Sequence, residues 1–244
     1  MKKSLLILAV TAAMVPAAQS AVHLTTGAGY IPLAKSLVSS CRTALSAPAT
    51  ESYGGAIGAM LAQVQAGSAV NVVLTDRGTL TSLKSPVVFS QIEPLGTTPL
   101  VLVWRKGLTI NTPADLAEQM VARIAAPDAR AAVYGRAAHA WLEAQDSPLR
   151  SALSAKWLEM GHVPQVISYV SRGEVDAGFV NVLAARKNRD ALGGMMVLRD
   201  GYPKIEMVLA VVQGHEQDPD VKALLACARS PEAGAVLERS GIER

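Results

Sequence analysis

The sequence predicts an α/β fold of two lobes, each a mostly parallel sheet flanked by helices. Short apolar strand candidates alternate with helical patterns, and this alternation runs through twice along the chain. The hydrophobic fraction is 50% but aromatic residues make up only 4%, so alanine, valine and leucine supply the core. That composition suits helices packed on buried parallel strands. At 244 residues, one or two domains are expected.

Residues 1–20 have the features of a secretory signal peptide. Lys2 and Lys3 precede an apolar run, and Ala18-Gln19-Ser20 fits the small-x-small cleavage rule. The apolar run is shorter than the ~20 residues that a membrane span needs, so we expect a periplasmic protein without stable membrane insertion. Removing the segment lowers the formal charge from +3 to +1, which argues against a nucleic-acid partner.

The two cysteines, Cys41 and Cys227, lie near opposite ends of the mature chain, each within a helical pattern. In an oxidising compartment such a pair can be bridged if the two Cα atoms come within roughly 4.4–6.8 Å. The alternative is two small buried hydrophobic side chains. The sequence leaves both open.

Glycine and proline residues mark the turns and helix ends expected in the first half of the chain. A glycine-rich turn leads into a helix expected from about residue 30 to 45, with Pro32 in its first turn. A second helix is expected to end at Gly67. Residues 80–95 show no regular pattern. The expected strands are residues 22–24, 49–53 and 70–74.

The second half repeats the alternation. A helix opening is expected at Thr112-Pro113, and another helix begins near Tyr134. Further strands are expected at residues 100–104, 123–126, 176–181, 195–199 and 205–212. Further helices are expected at residues 149–160, 166–171, 219–228 and 231–239. With the strands at 100–104 and 205–212 as hinge crossings, lobe I comprises residues 21–100 and 207–244, and lobe II residues 101–206.

Five short tracts occur in a recognisable order. They are TGAGY (26–30), YGG (53–55), the stretch from APD to YGRAA (126–138), GEVDAGFV (173–180) and YPKIE (202–206). Their order and spacing resemble the periplasmic molybdate-binding component of ABC transporters, a type II periplasmic binding protein family. The resemblance extends over essentially the whole mature chain.

The resemblance implies a two-lobed protein that closes on a tetrahedral oxyanion such as molybdate or tungstate and delivers it to an ABC transporter permease. Physical chemistry is consistent with this role, because backbone N–H groups and helix dipoles at helix starts can hold a dianion without lysine or arginine. We also expect a monomer with no catalytic residue, cofactor or metal site.

By position, the resemblance places the ligand at five points of this chain. These are Ala28 and Gly29; Ala56, Ile57 and Gly58; Ala131 and Ala132; Val163; and Asn181. Tyr30 and Tyr134, which lie next to two of these points, are added as candidate ligand contacts. The family pattern has a serine hydroxyl at the first two points and a tyrosine hydroxyl at the last. Here only the Asn181 amide offers a side-chain donor at those three points. Candidate replacement donors are the hydroxyls of Thr25, Thr26, Tyr30, Ser52, Tyr53 and Tyr134. The ligand stays open between molybdate or tungstate, another oxyanion and a small organic anion.

Several other side chains near these points have either a ligand-binding or a structural role. Tyr30 and Tyr134 either reach the ligand or pack at helix starts. Asp76 is expected as a turn cap and Arg136 as a solvated surface residue. Protonation of His162, beside a site helix, is a hypothesis for pH-dependent affinity, which His162→Gln would flatten between about pH 5 and 8.

An enzyme is the competing class. The sequence has no Gly-x-Ser-x-Gly elbow, no Cys-His pairing and no dinucleotide glycine pattern, and its four histidines lack metal-ligand spacing. A sensing role, in which the closed form meets a membrane receptor, is not separated from transport.

Overall fold

The computed structural model describes residues 21–82 and 87–244. The predicted signal peptide, residues 1–20, lies outside the described residues. The ten strands are β1 (His23–Gly27), β2 (Thr50–Gly54), β3 (Val72–Asp76), β4 (Phe89–Thr98), β5 (Leu100–Trp104), β6 (Ile124–Pro127), β7 (Trp157–Met160), β8 (Ala177–Asn181), β9 (Gly194–Leu198) and β10 (Ile205–Val212).

The α-helices of the described chain lie between and after these strands. They are α1 (Ile31–Ser40), α2 (Ile57–Gln65), α3 (Arg77–Ser82), α4 (Val133–Glu143), α5 (Ser147–Ser154), α6 (Val163–Ser171), α7 (Val182–Lys187), α8 (Pro219–Ala228) and α9 (Pro231–Arg239). Short 3-10 turns span Ala28–Tyr30, Arg42–Ala44, Pro113–Ala117 and Arg189–Ala191.

The strands form two five-stranded sheets, one in each lobe. Lobe I has the order β2-β1-β3-β10-β4, and lobe II has the order β7-β6-β8-β5-β9. In each sheet one strand, β10 or β5, pairs antiparallel with both neighbours, so the other four run in a common direction. These arrangements confirm the predicted two-lobed α/β fold class.

The reversed strands lie next to the two crossings of the chain between sheets. The first crossing is at Pro99, between β4 and β5, and the second lies between β9 and β10. Strands β3 and β5 are buried at every position. This is the pattern expected for strands covered on both faces, and it explains the continuous apolar sequence of β5 and of the first three residues of β3.

The two cysteines are bridged. Cys41 directly follows α1, Cys227 lies in α8, and their Cα atoms are 5.7 Å apart. The bridge spans 186 positions and ties the first helix of lobe I to the C-terminal helices. Of the two alternatives that the sequence left open, the disulfide is the one formed.

Three local predictions were wrong. The helix expected over 149–160 ends at Ser154, and Trp157–Met160 forms the edge strand β7, because pairing with β6 overrides the local helical pattern. The first helix ends at Ser40 instead of about residue 45. The stretch 80–95, expected to be irregular, contains the end of α3 and most of β4.

Candidate functional site

The N-termini of four helices meet at one small cavity between the lobes. Helices α1, with its preceding 3-10 turn, and α2 come from lobe I, and α4 and α6 come from lobe II. Of the predicted site residues, eight line the cavity: Ala28, Gly29, Tyr30, Ala56, Ile57, Ala132, Tyr134 and Val163. The structure therefore brings together most of the positions that the resemblance implied.

Small residues allow these helix starts to approach one another. A Cβ atom on Gly27 would lie 3.2 Å from the backbone nitrogen of Ile57, a tight contact that would push the end of β1 and the start of α2 apart by a few tenths of an ångström. On the other side, a Cβ on Gly135 would lie 2.4 Å from two backbone carbonyl oxygens at the end of β6. Glycine at both positions thus allows the starts of α2 and α4 to lie close to the neighbouring backbone.

The cavity is lined by free backbone donors. Ile57, Val133 and Val163 are the first residues of α2, α4 and α6, where an N–H group has no partner within its helix. Within the described chain, these three amides donate to no other protein acceptor. Each lies where the helix dipole favours negative charge. The arrangement is suited to binding an anion through neutral groups.

The cavity is small and its walls carry no acidic or basic side chain of Asp, Glu, Lys or Arg. Its volume is about 30 Å³. On the same measure, one ordered water needs roughly 10–15 Å³, so the space suits a compact ion of a few heavy atoms. His162 is present in the wall; its Nδ1 accepts a hydrogen bond from the Gln165 amide at 3.2 Å and caps α6. Its pH role stays a prediction.

Tyr30 and Tyr134 face each other across the lobes beside the cavity. Their ring centroids are 5.6 Å apart, and the Tyr134 hydroxyl lies 3.2 Å from the Thr98 hydroxyl. The Tyr30 hydroxyl is buried without a partner of good hydrogen-bond geometry among the described residues. Burial raises the pKa of both hydroxyls, so both stay protonated at neutral pH. The two rings pack together, and ligand contact by their hydroxyls stays a prediction.

The other candidate donors are already engaged or lie away from the cavity. Thr25 donates to the Ser52 carbonyl at 2.6 Å, and Thr26 donates to the Leu74 carbonyl at 2.8 Å. Both hydroxyls therefore serve the lobe I sheet. The Tyr53 hydroxyl is buried without a partner within the described chain, but Tyr53 does not line the cavity.

An ion pair joins the lobes near the cavity. Arg136 of α4 donates to the Asp76 carboxylate at 3.0 Å and also to the Thr79 hydroxyl. Asp76 accepts from the Thr79 amide at 3.0 Å, which confirms its predicted role as a turn cap. The prediction that Arg136 is a solvated surface residue was wrong: its side chain is 23% exposed and its Nη1 is buried. The ion pair joins α4 of lobe II to the end of β3 in lobe I.

Asn181 joins the lobes at a second place. Its Nδ2 donates to the Gly29 carbonyl of lobe I at 2.8 Å, and its Oδ1 accepts from the Ala184 amide at 2.7 Å. It thereby caps α7, which the sequence predictions had missed. An Asn followed by an apolar run ending in Arg186 and Lys187 is a helix signal that was available. Asn181 and Gly58 do not line the cavity, and their ligand roles stay predictions.

No group of three or more His, Cys, Asp or Glu side chains in the described part of the chain is placed to hold a metal ion. Among residues 21–82 and 87–244, no helix has both the length and the apolar character needed to cross a bilayer.

The fold and the cleft define a two-lobed protein with a small cavity between helix N-termini. The profile of the family described as bacterial extracellular solute-binding protein matches residues 22–243, and the chain belongs to this family. By sequence alone, no curated protein matches the chain.

Solved structures share the fold at low sequence identity. The periplasmic molybdate-binding protein of Azotobacter vinelandii is 20% identical, with a TM-score of 0.78 over 91% of this chain and 99% of that one. The substrate-binding domain of a putative molybdenum ABC transporter from Clostridium difficile is 18% identical, with a TM-score of 0.67 over 91% and 98%. The sulfate-binding protein of Mycobacterium tuberculosis is 16% identical, with a TM-score of 0.72 over 91% and 86%.

Proposed function

We propose that this protein captures a tetrahedral oxyanion, molybdate or tungstate, between its lobes in the periplasm and delivers it to the permease of an ABC transporter. The observation that carries the proposal is the meeting of four helix N-termini at one uncharged cavity. We assign residues 21–100 and 207–244 to lobe I and residues 101–206 to lobe II. Ligand binding would favour the closed arrangement because its donors come from both lobes.

The size of the cavity favours a compact inorganic anion. A volume of about 30 Å³ leaves room for a few heavy atoms and little more. The free amides of Ile57, Val133 and Val163 approach it from three helices, as the distributed oxygens of a tetrahedral anion require. The similar folds of molybdate-binding and sulfate-binding proteins add support for an oxyanion.

A different oxyanion or a small organic anion is the alternative ligand. It is favoured by one observation: the serine and tyrosine hydroxyls implied by the molybdate family are replaced here by Gly29, Ile57 and Asn181. Each hydrogen bond to a charged group is worth roughly 1.5–3 kcal/mol, so the identity of the ligand depends on which donors remain.

A thermal-shift screen of the mature protein tests the choice of ligand. The panel contains molybdate, tungstate, sulfate, phosphate, chromate and small organic acids. A ligand at 100 times its dissociation constant adds about 2.7 kcal/mol to the free energy of unfolding, which gives a measurable shift. If molybdate and tungstate leave the midpoint unchanged while another anion raises it, the molybdate proposal fails.

A proline substitution tests the role of the backbone donors. Val133→Pro removes the N–H group at the first position of α4, where proline is tolerated. Val133→Ala is the matched control, because it keeps the N–H group and removes side-chain atoms. If the amide binds the anion, the dissociation constant rises about 10- to 150-fold in the proline variant and much less in the control. Equal effects in the two variants would remove the amide from the site.

A further inference from the structure

The two crossings of the chain between the lobes differ in length. The first is the single residue Pro99, between β4 and β5, and the second is residues 199–204, between β9 and β10. The flanking strands are paired up to the residues next to the crossings, β4 with β10 in lobe I and β5 with β9 in lobe II. A rotation of one lobe against the other is therefore concentrated in Pro99 and in residues 199–204.

The C-terminal segment, residues 241–244, is attached to lobe I beside the first crossing. The backbone N–H and carbonyl groups of Glu243 exchange two hydrogen bonds of 2.7 Å with Thr97, near the end of β4. A Cβ atom on Gly96 would lie 2.5 Å from the Glu243 carbonyl oxygen, so the close approach of the segment requires glycine there. Ile242 is 2% exposed. The backbone of Glu243 is thus part of lobe I and moves with it.

The side chain of Glu243 extends to the second crossing. Arg199, which directly follows β9 of lobe II, donates two hydrogen bonds of 3.0 Å, one to each oxygen of the Glu243 carboxylate. Such a two-point contact fixes the relative orientation of the two groups. The hydrogen bonds from Arg199 lower the pKa of the Glu243 carboxyl, so the pair is charged at neutral pH. Glu243 therefore connects lobe I to the beginning of the second crossing.

The same crossing is also attached to lobe II. The Tyr202 hydroxyl accepts a hydrogen bond from the Leu100 amide at 2.8 Å and donates one to the Leu198 carbonyl. Both partners belong to strands of the lobe II sheet. A cavity of about 240 Å³ is lined by residues of both crossings and by Glu243. This space leaves the crossings room to move relative to each other, and the Arg199–Glu243 pair links them across it.

We propose that residues 241–244 form a hinge strap, in which the ion pair between Glu243 and Arg199 restricts the opening of the cleft. An opening rotation about Pro99 carries Arg199 with lobe II and leaves Glu243 on lobe I, so it stretches or breaks their two hydrogen bonds. The side chains of Arg199 and Glu243 are 63% and 51% exposed, and an exposed ion pair is weak. The strap therefore shifts the balance between open and closed forms without locking the lobes together. The inference does not depend on which solute binds.

Double electron–electron resonance on the ligand-free mature protein tests the strap. The spin labels are attached at Gln63→Cys in α2 and Glu143→Cys in α4, two exposed sites on helices that begin at the cavity from opposite lobes. The native cysteines are bridged and take no label. The distance between the labels reports how far the lobes are apart.

Three charge-neutralising variants are compared in this labelled background. Glu243→Gln and Arg199→Gln each remove one partner of the strap, and neither changes the backbone pairing of Glu243 with Thr97. Glu174→Gln is the matched control, because its ion pair with Arg172 lies wholly within lobe II and the two side chains are 48% and 57% exposed. The control removes an ion pair of similar exposure without touching the hinge.

We expect the ratio of long to short distances to rise by up to about fivefold in both strap variants, the scale of an exposed ion pair, and to stay at the wild-type value in Glu174→Gln. Distances that are unchanged in the strap variants, or changed equally in the control, overturn the proposal. If Glu243→Gln does not fold, Arg199→Gln decides the question by itself. The oxyanion function is tested separately by the thermal-shift screen, so either proposal can fail while the other stands.

Discussion

Removing the Arg136 guanidinium should weaken anion binding although the side chain does not line the cavity. Arg136 of lobe II donates to Asp76 and Thr79 of lobe I, so these bonds exist only when the lobes are together. In Arg136→Gln, the closed arrangement loses an ion pair and leaves the Asp76 carboxylate, 8% exposed, with only its Thr79 partners. An anion that binds between the lobes must then supply the missing closure energy.

The size of the effect follows from the burial of the pair. A hydrogen bond to a charged group contributes roughly 1.5–3 kcal/mol, but the Arg136 side chain is 23% exposed and therefore partly screened by water. We expect a loss of about 1–2 kcal/mol, which corresponds to a dissociation constant roughly 5- to 30-fold higher. Arg130→Gln is the control, since Arg130 is 88% exposed and its ion pair with Asp128 stays within lobe II.

A double-mutant cycle by isothermal titration calorimetry measures this energy directly. The four proteins are the wild type, Arg136→Gln, Asp76→Asn and the double variant, titrated with the oxyanion that gives the largest thermal shift. A coupling energy of about 1–2 kcal/mol between Arg136 and Asp76 supports the conclusion that their ion pair stabilises the closed arrangement. Arg136 does not stabilise the closed arrangement if Arg136→Gln changes the dissociation constant no more than Arg130→Gln does, or if the effects of Arg136→Gln and Asp76→Asn on binding free energy add within about 0.3–0.5 kcal/mol.

Three further predictions concern stability. Gly135→Ala should lower the free energy of unfolding by about 1–3 kcal/mol, because its Cβ would lie 2.4 Å from backbone carbonyl oxygens. The control Gly55→Ala should have little effect, because there is open space around Gly55. Equal denaturant midpoints for the two variants would contradict this prediction. Replacing both Cys41 and Cys227 by serine should lower the free energy of unfolding, measured in urea, by about 2–5 kcal/mol. An unchanged urea midpoint would show that the bridge does not stabilise the fold. Burial raises the pKa of Asp176, but hydrogen bonds from a nearby arginine and two backbone amides outweigh it and leave the pKa lowered. The carboxylate thus stabilises the fold above its unfolded pKa of about 3.9, and this contribution is lost as pH falls through the lower folded value. Asp176→Asn should be less stable at pH 7 and lose less stability below about pH 4; parallel pH curves would reject this.

Local sequence signals predicted the helix starts well. Pro32 lies in the first turn of α1, where its missing N–H group costs nothing, and the small residues around Gly29 allow close approach of backbone. These signals act within a few residues, so they are visible in the sequence. The edge strand β7 shows the limit, because its pairing with β6 depends on a neighbour more than 30 positions away.

The sequence by itself determined the fold class and the alternation of strands and helices, and its resemblance to a known family implied most of the residues that surround the cavity. Only the tertiary structure decided which side chains join the lobes. Arg136 and Asp76 are 60 positions apart, and Asn181 and Gly29 are 152 apart. No local pattern specifies such partners, because they meet only when two separately folded sheets come together. Both contacts lie where lobe I meets lobe II.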